Sequence, residues 1–180
     1  MSDYNLRFPI GEFENPISIS PKNISEWIDV ISSFYEKLNK EVDILTKEQW
    51  RWQYRPEGWT IQQIVHHCAD SHLNALIRFK LALTENKPTI KPYKENLWAE
   101  LADTNDAPID WSLSLIYGLH KRWTHLLKSL SQEDLNRTYF HPEHNKFLKL
   151  SETIAHYSWH CKHHLEHIRI AKKCEGNFKL

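Results

Sequence analysis

The chain has 180 residues, with 23 Lys plus Arg against 23 Asp plus Glu, so its formal charge is zero. That length fits one domain over residues 1–180, and the charge balance excludes a large electrostatic footprint for nucleic acid or an anionic membrane. Only four residues are Gly, about 2% against a usual ~7%. This excludes the glycine-rich phosphate loops of nucleotide-binding folds, which need positive φ or close backbone approach to the ligand.

The 41% hydrophobic residues, eight Trp among them, suffice for a packed interior. No apolar run approaches the ~18–20 residues that span a bilayer, and Met1-Ser2-Asp3-Tyr4 does not open a signal peptide. Cys68, Cys161 and Cys174 are odd in number and form no Cys-x-x-Cys. That is the usage of a reducing compartment, so a cytoplasmic location is expected.

In chain order, residues 1–19 carry Pro9, Gly11 and Pro16 and read as an extended arm. Ser20-Pro21 predicts a helix N-terminus, and the spacing of Ile24, Ile28, Ile31, Tyr35, Leu38 and Val42 predicts a first helix over about 21–44. Thr46 and Gln49 have the capping-box pattern of a short helical turn, and Thr60 with Gln63 opens a second helix that runs to about Thr84. A long crossover over 86–107 follows, with a short helical patch near Glu95–Leu101. Pro108 starts a third helix to about 130, whose apolar face is read as Trp111, Leu115, Leu119, Trp123, Leu126 and Leu130. Ser151 caps a fourth helix that ends near Lys173. With no convincing strand, the expected fold is all-α, a four-helix bundle with a long connection between helices two and three.

Twelve His stand out, five of them within residues 156–167. On the fourth helix the apolar stripe runs through Ile154, Tyr157, Cys161, Leu165 and Ile168. His164 lies in it and His160 on its shoulder, so these two alone combine i, i+4 spacing with the bundle seam. Residue 161 is Cys, so the His-Glu-x-x-His protease pattern is absent. Helix two supplies His66, His67 and His72, and the choice of inward ring lies between the last two. His72 sits inside the stripe formed by Ile61, Ile64, Val65, Cys68, Ala75, Leu76 and Phe79, whereas His67 lies on a flank with Ser71, Asn74 and Arg78. Periodicity leans towards His72 as the inward ring and leaves the choice open. Cys68 and Cys161 read as small core residues, and Asp70 and Arg78 as charges that either pair with a substrate or are solvated, solvation being favoured.

Several ordered pieces carry a resemblance: Phe8-Pro-Ile-Gly-Glu12, Tyr54-Arg-Pro-x-Gly-Trp-Thr60, Val65-His-His-x-Ala-Asp-Ser-His72, Arg78-Phe-Lys-Leu81, Leu119-His-x-Arg-Trp123, His141-Pro142 and Trp159-His-x-x-His-His-Leu-x-His-Ile168. Together they span nearly the whole chain, which resembles the DinB-like superfamily and, within it, the YfiT type, described as metal-dependent hydrolases and as bacillithiol S-transferases. The resemblance implies a homodimeric bundle with one divalent metal ion per chain, held by His67, His160 and His164. It therefore overrules the lean towards His72.

Three imidazoles would leave an ion with its full charge and an open position, as in a catalytic site. Zinc and nickel both accept this ligand type. The implied function is activation of a water or a low-molecular-weight thiol, for hydrolysis of, or S-transfer to, a small electrophilic substrate. No general base is singled out. The alternatives are a non-catalytic, metal-stabilised binding or stress-response module and a metal-free structural dimer.

Overall fold

The computed structural model describes residues 3–178. The arm expected to be extended begins with a helical turn, α1 (Asp3–Arg7). Ser20 then caps α2 (Pro21–Ser32): its hydroxyl accepts from the Asn23 N–H, and the Asn23 side chain accepts from the Ser20 N–H at 3.0 Å. The first bundle helix is not continuous over 21–44. Ser33 turns its hydroxyl back onto the Asp29 carbonyl at 2.8 Å, a bond that competes with the helical ladder, and the chain restarts as α3 (Phe34–Val42).

Thr46 and Gln49 exchange the expected side-chain bonds ahead of a 3-10 turn at Gln49–Arg51. The box at Thr60 and Gln63 opens α4 (Ile61–Thr84). The crossover holds two short helices, α5 (Glu95–Trp98) and α6 (Ala102–Asn105), and leads into α7 (Ile109–Lys128). After α8 (Gln132–Leu135), a hairpin forms where no strand was expected: β1 (Thr138–His141) pairs antiparallel with β2 (Lys146–Lys149). The final helix, α9 (Leu150–Cys174), has Lys149 rather than Ser151 at its N-cap, and Glu152 accepts from the Lys149 N–H at 2.9 Å.

Four helical segments make the bundle, in the cyclic order α2/α3, α9, α4, α7. Gln62 reaches the Ala107 carbonyl and His72 reaches His120, so α4 and α7 run parallel. Parallel neighbours cannot be joined by a hairpin turn, which is why some twenty residues cross over between them. His67 meets His160 while Ser71 meets Tyr157, so α4 and α9 run antiparallel. The predicted face of the third helix is rotated: Trp111 and Leu115 are exposed, and Ile109, Leu113, Ile116, Leu119, His120, Trp123 and Leu127 point inward. Trp123 is fully buried against Phe79, His72 and Tyr157. Cys68 and Cys161 are core residues, as expected, and burial raises both thiols.

Replacing Thr60 with Ala removes the acceptor for the Gln63 N–H, and loss of such a cap costs about 1 kcal/mol. A lower urea midpoint with an unchanged m-value is the expected outcome.

Candidate metal centre

Between the antiparallel helices α4 and α9, the rings of His67, His160 and His164 converge, one ligand atom from each lying within 4.8 Å of the others. All three side chains are buried. Trp59, at the start of α4, packs on His67 with ring centroids 4.6 Å apart and lies parallel to His164 at 6.4 Å. The Nε2 atoms of His67 and His160 are 3.2 Å apart. Two imidazole nitrogens bound tetrahedrally to zinc at their usual bond length lie about 3.3 Å from each other, so the separation fits a shared divalent ion.

Burial drives His160 and His164 well below the ordinary histidine range and brings His67 down to about 4. The rings are therefore neutral at pH 7, and each has one N–H and one lone pair. Which nitrogen carries the proton is set by a chain of bonds. The Ile31 carbonyl can only accept, so His120, whose Nδ1 lies 2.7 Å away, donates from that atom. His120 Nε2 then accepts from His72 Nδ1 at 2.8 Å. His72 Nε2 in turn accepts from His160 Nδ1 at 3.1 Å. The proton of His160 is thus on Nδ1 and its lone pair on Nε2, the atom that faces His67.

A second, shorter chain treats His164 the same way. His167 donates from Nε2 to the Arg7 carbonyl at 3.1 Å, and its Nδ1 accepts from His164 Nδ1 at 3.4 Å. His164 Nε2 is left with its lone pair. Both chains end on carbonyls in the last turn of a helix, Ile31 in α2 and Arg7 in α1. Such carbonyls lack an intrahelical N–H partner, so the helix end after Ser32 and the short α1 supply the acceptors.

Of the sequence candidates, the structure brings together His67, His160 and His164. His72 is inward, as its stripe position indicated, but it supports His160 from behind. His120 was not singled out; its only signal is a polar ring on the inward face of α7 beside Leu119. His163, His164 and His167 form a second group whose ligand atoms also lie within 4.8 Å of one another. In it both ring nitrogens of His167 are already engaged, while His163 stacks on Trp159 at 4.3 Å.

A bundle with three neutral imidazoles converging from two antiparallel helices belongs among the helical proteins built around a divalent-metal site. The family model of the DinB superfamily matches residues 32–168, and the chain belongs to that superfamily. A relative from Bacillus cereus, named "Putative metal-dependent hydrolase", is 48% identical over 169 residues, covering 94% of this chain and 96% of its own. A similarly named relative from Bacillus anthracis is 47% identical with the same coverage. The solved structure of YfiT from Bacillus subtilis, described as a probable metal-dependent hydrolase with an unusual four-helix bundle topology, superposes with a TM-score of 0.92. It is 42% identical, and the match covers 96% of this chain and 98% of that one. Among the described residues no helix is long and apolar enough to cross a membrane.

Two outcomes are expected. His120→Phe fills the volume but leaves His72 Nδ1 without its acceptor. Zinc affinity, measured by competition with a chromophoric chelator, should fall about 10–100-fold, as for other losses of an outer hydrogen-bond partner. Secondly, burial brings His67, His120, His156 and His163 to about 4, so the unfolded chain takes up their protons first. Stability of the metal-free protein is full above the unfolded value of about 6.5. It falls as the pH drops towards 4, by up to about 1.4 kcal/mol per pH unit for each ring. Thermal unfolding followed across that range checks the sign.

Proposed function

We propose that the chain is a metal-dependent enzyme acting on a small molecule, with His67, His160 and His164 holding one divalent ion, zinc or nickel. The observation that carries this reading is the pair of hydrogen-bond chains that place the lone pairs of His160 and His164 on Nε2, that of His160 facing His67 Nε2 at 3.2 Å. A divalent ion on three neutral imidazoles would keep its full charge and an open position, and would lower the pKa of a coordinated water or thiol to near neutrality.

The protein's own groups set the conditions for that chemistry. His72 and His167 hold the protons of the two α9 rings on Nδ1, so these rings need not change tautomer to bind. Trp59 covers His67 and limits water around the centre. Tyr157 donates its hydroxyl proton to the Ser71 carbonyl at 3.1 Å, and burial raises its pKa to about 12, so it remains a phenol at neutral pH.

The names of the relatives support hydrolysis. S-transfer is the second reading: a low-molecular-weight thiol at the open position would be held deprotonated by the ion, just as a water there would be brought towards hydroxide.

His67→Ala, His160→Ala and His164→Ala should each reduce zinc content, read by elemental analysis, to background and abolish turnover. Metal retained in His67→Ala but lost in His72→Ala would assign the α4 ligand to the other ring. Consumption of a model thiol with chlorodinitrobenzene, set beside hydrolysis of a nitrophenyl ester and each repeated with chelator, separates the two chemistries.

A further inference from the structure

A cavity of about 290 Å³ opens between the hairpin and the seam of α4 and α9. Its lining includes His156 and Tyr157 of α9, Arg78 of α4, and His141, His144 and Lys146 of the hairpin. Tyr157 and His156 adjoin the metal centre: their rings lie 5.5 and 6.1 Å from that of His160. Arg78 shares the face of α4 with His67, and eleven residues along a helix is a rise of about 16 Å. None of the three histidines lines the cavity; it adjoins their centre through His156 and Tyr157 and has the Arg78 side chain in its wall.

The wall is cationic and incompletely satisfied. Arg78 Nε and His141 Nδ1 are buried and have no hydrogen-bond partner, the condition in which a polar group loses most free energy. Arg78 is in none of the ion pairs of the described residues. The one carboxylate in the lining, Glu152, is occupied in capping α9. Glu95 lies close enough to feel the field of Arg78, as does His156, which burial and then Arg78 bring down to about 4. Arg78 and Lys146 thus face a single lining carboxylate, that of Glu152, which is already engaged. Arg78, whose charge the sequence left between solvation and pairing with a substrate, is half-buried and lines this cavity.

We propose that this cavity is a carboxylate subsite, anchored by Arg78 with Lys146 at its rim. A small molecule that reacts at the three-histidine centre then carries an acid group at its far end. The second statement rests on the function proposed above; the first does not. Arginine suits the role because its planar fork grips a carboxylate through two parallel bonds. The aromatic rings of Tyr139 and Tyr157 and the side chain of Leu148 suit an apolar stem between the two ends.

Calorimetric titration of the zinc-loaded protein with octanoate and with octan-1-ol tests the subsite. Octanoate should bind about tenfold more tightly than the alcohol, the strength of a charge-assisted contact. Arg78→Gln should bring the two within about twofold while leaving the alcohol unchanged. Should Arg78→Gln fail to fold, Arg78→Lys replaces it; it keeps the charge but removes the planar fork, and should lower the octanoate preference by about threefold. Equal binding of acid and alcohol, or an acid preference that survives both substitutions, overturns the proposal. In the cobalt-loaded protein, ω-mercaptooctanoate should produce the thiolate-to-cobalt absorption band at lower concentration than ω-mercaptooctanol. A band with neither thiol removes the thiol reading of the centre, while the octanoate titration still judges the subsite. Bands at equal concentrations overturn the link between the two.

Discussion

The whole arrangement depends on keeping imidazole uncharged inside a dry seam. A neutral ring has one donor and one acceptor, so rings can be strung head to tail, each accepting the proton offered by the last. A carboxylate in the same place would bring a full negative charge into the interior, at a desolvation cost of several kcal/mol. The rings avoid that cost, and burial holds them neutral. The bundle order follows from this need: α9 must face α4 to bring His160 and His164 to His67, while α7 must lie alongside α4 to bring His120 to His72. The parallel pairing of α4 and α7 is what requires the long crossover.

The helices were legible because the N-cap at Ser20, the capping box at Thr60 and prolines at Pro21 and Pro108 act locally. The break at Ser33 was not, because the hydrophobic spacing of Ile28, Ile31, Phe34 and Leu38 continues through it; a serine hydroxyl turned onto a carbonyl leaves no periodic trace. The hairpin was missed for a similar reason. Thr138–His141 and Lys146–Lys149 are four residues each, too short for alternation to register, and the pair is held by contacts distant in sequence, such as Phe140 N–H to the Pro88 carbonyl. On α7 the helix was placed well but rotated, since Trp111 and Leu115 look like core residues until neighbours are known.

The centre was legible in part. The spacing of His160 and His164 pointed at the seam, and the periodicity of helix two put His72 inward, where it lies. What a wheel cannot express is depth. His72 is the more buried ring, and for that reason it stands behind His160 rather than beside it. His67, on the flank, faces the space it shares with His160 and His164. The partners of the outer ring nitrogens, the carbonyls of Ile31 and Arg7, are backbone atoms, and no side-chain pattern announces them.

The Arg7 carbonyl has one more effect. It belongs to a five-residue helix at the amino end, yet only His167 stands between it and a nitrogen proton of His164. If that end of the chain lifts away, His167 loses its fixed donor direction, and the ring behind His164 is free to swap which nitrogen is protonated. A purification handle or fusion joined ahead of residue 1 would therefore act on a segment two hydrogen bonds from the His164 ring.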